Sequence, residues 1–129
     1  MGEWLWYFAH PYREVQEPHP VRTPRQQNYH LCCRRTARLI EAGYLVLSPV
    51  CQTHHVARCA PVDYRGEDFW LRYTERLLRR CDGIILAPHW TVSDGCWSER
   101  EEARERGMEI RCYSNIIEIG PDHGNDSES

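Results

Sequence analysis

The sequence predicts a single α/β domain, a three-layer sandwich in which helices cover both faces of a mainly parallel sheet of four or five strands. Two observations favour this class. Short apolar runs alternate with longer helical patterns, and the runs have the character of buried strands. Strands that alternate with helices imply a parallel sheet covered on both sides. We therefore expect an open sheet of flavodoxin-like or Rossmann-like type over residues 1–119, followed by a disordered tail over residues 120–129.

Four short apolar runs are the predicted strands. Proline follows each of the first two within a few residues, and Asp82-Gly83 turns the chain into the third. A further apolar run, residues 116–119, either extends the sheet or packs at its edge. The strands are predicted over residues 4–9, 44–47, 84–88 and 109–113.

Three segments have the apolar spacing of helices, and they are predicted over residues 25–42, 67–80 and 95–107. Gly43 ends the first of them. Its inward face is predicted to carry Tyr29, Cys32, Thr36, Leu39 and Ile40. Prolines predict a loop over residues 14–24, and a second loop, rich in His and Cys, is predicted over residues 51–64.

Composition excludes several classes of function. The net charge is -3, from 16 basic and 19 acidic residues, and every basic residue is Arg. Without Lys, Schiff-base and P-loop lysine chemistry are excluded. The Arg residues are interleaved with acids, so we expect no nucleic-acid partner. No apolar run approaches the ~20 residues of a membrane span, so we expect no membrane partner.

Seven cysteines are many for this length, but their number is odd and no CxxC pair occurs. A secreted disulfide scaffold would be loop-rich and would begin with a signal peptide, and neither pattern is seen. We expect buried reduced thiols that act as small hydrophobes, in a cytoplasmic protein. They are Cys32, Cys33, Cys51, Cys59, Cys81, Cys96 and Cys112.

Glu99 is the candidate catalytic residue. It follows the third strand and lies one helical turn after Cys96 and one before Ala103, so it faces inward. In open α/β sheets, ligands bind at this end of the strands. A structural role, as a carboxylate near a helix N-terminus or as a partner of an Arg, explains the same position, and both interpretations stay open.

The turn after the first strand is a candidate binding site. Tyr7, Tyr12 and Arg13 can supply a stacking face and an anion clamp, although Tyr7 can equally be core and Arg13 solvated. There is no GxGxxG and no GxxxxGK[ST], so neither a dinucleotide site nor a P-loop is predicted, and we expect no cofactor.

The start of the last helix, Ser93-Asp94-Gly95, is a second candidate. A hydroxyl and the free N–H groups of a helix start bind anions, and Ser93 can also be the N-cap. Trp90 and Trp97 flank this turn. They either wall a pocket for an aromatic base or pack in the core or at a subunit interface.

Two Cys and two His between Cys51 and Cys59 raise a metal hypothesis. Their spacing matches no familiar zinc pattern, and adjacent His54 and His55 seldom ligate one ion. We expect no metal, and we interpret His54 as a residue that contacts a ligand or braces its loop.

Three blocks of the chain resemble the nucleoside 2-deoxyribosyltransferase superfamily, in particular a short bacterial and phage branch. They look like the family's opening strand, the second strand with the His-containing loop, and the active-site block that keeps the spacing from Ser93 through Gly95 to Glu99. The blocks are residues 7–12, residues 43–50 with His54, and residues 81–107.

The resemblance implies that Glu99 is a nucleophile that attacks the anomeric carbon of a sugar and displaces the base. Relatives that hydrolyse nucleoside 5′-monophosphates carry Ser at the position of Ser93, where nucleoside transferases carry an acid. It therefore implies an N-glycosidase acting on a nucleoside 5′-monophosphate, or a deoxyribosyltransferase acting on a nucleoside. Ser93, Gly95 and Arg13 would hold the phosphate, with Asp94 beside them, and the enzyme would be a homodimer or a higher oligomer.

One position departs from the family pattern. The family's usual Asp is replaced by Thr74, which cannot act as a general acid near neutral pH. Either Glu75, Asp68 or Asp63 substitutes, or the activity is altered or lost. The alternative function is therefore a non-catalytic nucleotide-binding or sensing domain of the same fold.

Overall fold

The computed structural model describes residues 3–12, 25–59 and 66–118. The expected α/β class is confirmed, because these residues form one four-stranded, all-parallel sheet with helices between the strands. The strands are β1 (Leu5–Ala9), β2 (Leu45–Leu47), β3 (Gly83–Leu86) and β4 (Glu109–Cys112). The helices are α1 (Arg25–Glu41), α2 (Pro49–Cys59), α3 (Gly66–Arg79), α4 (Asp94–Glu105) and the single turn α5 (Tyr113–Ile116). The predicted loop over 14–24 and the predicted tail over 120–129 lie outside the described residues.

The strand order is β2-β1-β3-β4. β1 is thus central, with Tyr7 paired to Leu47 of β2 on one side and to Ile84 of β3 on the other. From β1 the chain first moves outward to β2, at one edge of the sheet. β3 lies on the other side of β1, and from β3 the chain moves outward to β4, at the opposite edge. This reversal makes the crevice between the carboxyl ends of β1 and β3 the expected ligand position.

Side chains that alternate along the strands build one core on each face of the sheet. The first core lies under α3 and α4, and the second lies under α1 and α5. The first core contains Tyr7, Ala9, Leu78, Cys81, Ile84, Leu86, Cys96 and Ala103. The second core contains Trp6, Phe8, Cys32, Leu39, Ile85, Ala87 and Tyr113.

Three sequence predictions were wrong in detail. Where a loop was predicted after β2, the structure has the helix α2. Pro49 suits the first turn of this helix, because backbone N–H groups there have no partner within the helix and proline has no N–H. Residues 116–118, the described part of the run 116–119, add no strand, since the chain turns into α5 directly after β4. Ile40 is 56% exposed, because Leu39 takes the inward position in the last turn of α1. The predicted stop at Gly43 is confirmed by its φ of +99°.

In the part of the chain that the structure describes, no helix has both the length and the apolar run that a bilayer crossing requires.

Candidate functional site

The centre of the candidate site is a hydrogen bond between β1 and α4. The Tyr7 hydroxyl donates to Oε2 of Glu99 at 2.5 Å. Tyr7 points to the face of the first core, and Glu99 lies on the same side of α4 as the buried Cys96 and Ala103. This is the inward position expected from the helical spacing. Residues far apart in sequence therefore meet where α4 packs on the sheet, beside the first core.

Burial dominates the electrostatics of this pair. It raises the pKa of Glu99 to about 7, although the hydrogen bond from Tyr7 acts in the lowering direction. Burial, and then the charge of Glu99, hold the pKa of Tyr7 well above its usual value. Tyr7 therefore stays a donor, and Glu99 changes its charge near neutral pH. A carboxyl group with this behaviour, near the expected ligand position of an α/β sheet, is a candidate for chemistry.

The replacement Tyr7→Phe is expected to raise the pKa of Glu99 further above its ordinary value, because the hydrogen bond that stabilises its charged form is lost. The measurement is a carbon NMR titration of the Glu99 carboxyl. Tyr12→Phe is the matched control, since Tyr12 bonds His54 instead. An unchanged or lower pKa in Tyr7→Phe would contradict the assignment.

Thr74 of α3 lies beside this pair. Its hydroxyl donates to the carbonyl oxygen of Trp70 at 3.0 Å, and it also acts on the Tyr7 hydroxyl as a hydrogen-bond partner that lowers the pKa of Tyr7. Glu75 does not take over this position, because it pairs with Arg79 at 3.1 Å on the surface. Asp63 and the side chain of Asp68 lie outside the described residues.

The start of α4 forms the open end of the site. Ser93 is the N-cap, as one of its two interpretations predicted, and its Oγ accepts from the Cys96 N–H at 3.2 Å. Asp94 and Gly95 are exposed. A Cβ at Gly95 would meet only Ser93 Oγ, at 3.8 Å. Among the described residues, a side chain at Gly95 would thus crowd no neighbour at the start of α4.

Two tryptophans form an aromatic wall immediately before and within α4. The ring centroids of Trp90 and Trp97 lie 4.8 Å apart, and the Arg100 guanidinium lies 5.9 Å from each. The Trp97 indole N–H donates to the Thr91 carbonyl oxygen at 2.7 Å. Trp90 also packs against the first core. The turn before them contains His89 at φ 64°, a left-handed conformation that is uncommon for a residue with a side chain.

Tyr12 and His54 form a second group of site candidates. The Tyr12 hydroxyl lies 2.8 Å from Nδ1 of His54, and the Tyr29 ring stacks on His54 with centroids 4.1 Å apart. Asn28 donates to the Tyr12 carbonyl oxygen at 3.0 Å. His54 is buried on α2 rather than on a loop. Arg13 lies outside the described residues.

His10 is a positioning residue that sequence reasoning missed. Arg35 Nη1 donates to its Nε2 at 3.0 Å, so its Nδ1 carries the hydrogen and donates to the Pro11 carbonyl oxygen at 2.8 Å. Burial lowers the pKa of His10 to about 3, which keeps the ring neutral. His10 therefore fixes the turn after β1. Its only sequence signal is a His-Pro step at the end of a strand.

The metal hypothesis finds no support in the geometry. Cys51 contacts Ser48 and other thiols, whereas His54 bonds Tyr12. Across residues 3–12, 25–59 and 66–118, no group of three or more His, Cys, Asp or Glu residues is placed to hold a metal ion.

Comparison with known proteins gives one family. No curated protein and no solved structure matched the chain significantly. Residues 5–115 match the model of DUF1937, which is described as a domain of unknown function. The match spans all four strands and the Tyr7–Glu99 pair. The chain therefore belongs to the DUF1937 family.

Proposed function

We propose that this protein cleaves the N-glycosidic bond of a nucleoside 5′-monophosphate or a nucleoside, with Glu99 as the nucleophile. The observation that carries the proposal is the Tyr7–Glu99 hydrogen bond between β1 and α4. It gives a partly buried carboxylate a fixed donor beside the strands where α/β sheets bind ligands, and burial raises the pKa of that carboxylate to about 7. The resemblance to nucleoside 2-deoxyribosyltransferases supports the same assignment.

The reaction has two steps. In the first, a Glu99 oxygen bonds the anomeric carbon while the bond to the base breaks, and the base leaves with the electron pair and takes up a proton from solvent. In the second, water attacks the same carbon, the bond to Glu99 breaks, the carboxylate leaves with that electron pair, and the proton lost by the water passes to solvent. In a transferase, a second base takes the place of water. Both transition states resemble an oxocarbenium ion, which a nearby carboxylate stabilises.

The two oxygens of the Glu99 carboxylate have different roles in this mechanism. The Tyr7 hydroxyl binds Oε2, which leaves Oε1 for the attack. Donation from Tyr7 also favours the charged carboxylate when it leaves in the second step. Tyr7 is thereby a positioning residue for Glu99.

The start of α4 suits a 5′-phosphate. Ser93 carries no charge, and the N-terminal turn of a 12-residue helix attracts anions. The Trp90 and Trp97 rings lie next to this turn and offer a face on which a base can stack. Substrate would thus extend from the α4 N-terminus to Glu99, one turn later.

Purified protein is expected to release free base from a 5′-monophosphate faster than from the matching nucleoside. The variant Ser93→Asp is expected to reverse this preference, with cleavage of the monophosphate reduced by about tenfold or more, because a carboxylate repels phosphate. Asp is as good an N-cap as Ser, so α4 is retained. The measurement is chromatographic detection of free base over a panel of nucleotides and nucleosides.

Two results of these measurements would contradict the proposal. Base release that is unaffected in Glu99→Ala would overturn the mechanism. If Ser93→Asp and the unaltered protein have the same preference for the monophosphate over the nucleoside, the phosphate does not bind at Ser93. That result would not contradict cleavage by Glu99.

A non-catalytic nucleotide-binding domain is the second candidate, and Thr74 is the observation that favours it. This hydroxyl stands next to Tyr7 where the resembling family has an acid, so no carboxyl group of α3 is placed there among the described residues. Tight binding of a nucleotide without release of base, equal in Glu99→Gln, would favour this candidate.

The proposal includes self-association. Leu71 is 49% exposed on α3, and Trp97 is 42% exposed on α4, the helix that carries Glu99. Large exposed apolar side chains near a site are typical of surfaces that a partner covers. A second copy of the chain in a homodimer or higher oligomer would cover them.

A further inference from the structure

A cluster of thiols and hydroxyls joins α1 to α2. We call it the thiol cluster, and it consists of Cys32, Cys33, Thr36, Ser48 and Cys51. Sγ of Cys51 lies 3.2 Å from Sγ of Cys33 and 3.7 Å from Sγ of Cys32. All three cysteines are free thiols. A sulfur of α2 thus stands within contact distance of two sulfurs of α1, and the proposed glycosidase chemistry uses none of them.

The surroundings of Cys51 stabilise its thiolate. The Thr36 hydroxyl donates to Ser48 Oγ at 3.1 Å, and the Ser48 hydroxyl donates to Cys51 Sγ at 3.4 Å. Cys51 also lies in the first turn of α2, an 11-residue helix whose N-terminal amides favour negative charge. When Cys51 is ionised, the S–H groups of its two cysteine neighbours donate to it as well.

Because of these contacts, the three thiols have different pKa values. The hydrogen bond from Cys32, followed by those from Ser48 and Cys33, lowers the pKa of Cys51 to about 5. Burial raises the pKa of Cys33 to about 11 and holds that of Cys32 well above its usual value. One thiolate therefore lies between two protonated thiols at neutral pH.

Exposure separates the two neighbours of Cys51. Cys33 and Cys51 are both partly exposed, whereas Cys32 is completely buried. Cys33 is also the nearer of the two, at 3.2 Å against 3.7 Å. A disulfide needs the sulfurs to close to ~2.05 Å, so Cys33 has the shorter movement to make.

From this arrangement we propose that Cys51 is a peroxide-reactive thiolate and that Cys33 resolves it to a disulfide. The Cys51 sulfur attacks one peroxide oxygen, the O–O bond breaks, and the products are a sulfenic acid and, after protonation, water or an alcohol. Cys33 then loses its proton and attacks the Cys51 sulfur. The S–S bond forms, the S–O bond breaks, and hydroxide leaves and takes that proton as water. The two thiols lose two electrons, and the peroxide gains them.

The experiment treats the full chain with hydrogen peroxide and maps the cross-linked peptides by mass spectrometry without reduction. The expected product is a Cys33–Cys51 disulfide that dithiothreitol reverses. A Cys32–Cys33 or Cys32–Cys51 disulfide as the main product would overturn the assignment of Cys33. Equal peroxide oxidation of all exposed cysteines would overturn the assignment of Cys51.

Three variants sharpen the test. Cys33→Ser is expected to leave a sulfenic acid on Cys51 that a cyclic 1,3-diketone traps. Cys51→Ser is expected to slow peroxide consumption by about tenfold or more, since it removes the thiol whose thiolate the thiol cluster stabilises. Cys59→Ser is the control, because this exposed cysteine lies on the same helix outside the thiol cluster. A slower reaction in Cys59→Ser, with Cys51→Ser unchanged, would place the reactive thiol at Cys59.

Discussion

Replacing Glu99 with Gln is expected to abolish base release and, above pH 7, to make the folded protein more stable. The loss of activity follows from the proposed nucleophile, because a neutral amide cannot form the glycosyl-enzyme. We expect a fall of about a thousandfold or more. The gain in stability follows from the burial that raises the pKa of Glu99. The same group that performs the chemistry thus carries a cost in folding free energy.

The pH dependence has a definite sign. The pKa of Glu99 is about 7 in the folded protein, against an ordinary value of 4.5. Between these two values the folded state binds the proton more tightly than the unfolded state, so the free energy of unfolding falls as pH rises. The fall is complete above pH 7, where it reaches about 3 kcal/mol at most. Gln at position 99 has no charge to bury, so its variant avoids this loss.

Urea unfolding of both proteins at pH 5 and pH 8 measures the effect. The advantage of Glu99→Gln over the unaltered protein should be small at pH 5 and large at pH 8. Glu101→Gln is the matched control on the same helix. Hydrogen bonds from Arg104 and Arg100 lower the pKa of Glu101, so this replacement should bring no gain above pH 7. Parallel pH curves for Glu99→Gln and the unaltered protein would contradict the burial of a charge at Glu99.

The replacement Gly83→Ala is expected to destabilise the protein by about 1–3 kcal/mol. Gly83 of β3 pairs with Trp6 of β1, and a Cβ at this position would lie 2.4 Å from Cζ3 of the Trp6 ring. Two neighbouring side chains hold the ring in place. The Arg111 guanidinium lies 4.7 Å from it, Tyr44 packs edge-on against it, and Arg111 donates to the Tyr44 hydroxyl at 2.8 Å.

Thermal or urea unfolding of Gly83→Ala measures this loss, and Gly95→Ala provides the control. A Cβ at Gly95 has open space, and Ala in a helix is favoured over Gly by about 0.5–1 kcal/mol. Gly95→Ala should therefore be as stable as the unaltered protein or more so. Equal stability of the two variants would contradict the close contact between Gly83 and the Trp6 ring.

Most of the fold could be predicted because parallel strands leave a clear record in sequence. β1 and β3 are buried on both faces, so their sequences are continuous apolar runs. Such runs indicate buried strands without an alternation of apolar and polar residues. The helix α2 was missed because Pro49, two His and two Cys resemble a loop by composition. In the structure, Pro49 occupies a first-turn position, and the polar groups of Cys51 and His54 have partners on other elements.

The candidate site could be predicted only in part, for a similar reason. Helical spacing is local, so the inward position of Glu99 could be inferred from its neighbours on α4. The hydrogen bond from Tyr7 needs the register of β1 against β3 and the side on which α4 packs, and neither is local. The tautomer of His10 depends on Arg35, a residue of α1 that lies 25 positions away in sequence.

The two outer strands of the sheet are short, with three residues in β2 and four in β4. An edge strand exposes unpaired backbone groups, which invite another chain to extend the sheet and so lead to aggregation. Here each edge offers too few of them for stable pairing, and β4 also carries the Glu109–Arg111 ion pair. Association between copies by sheet extension is therefore disfavoured, which leaves the helix surfaces of the described residues for the proposed self-association.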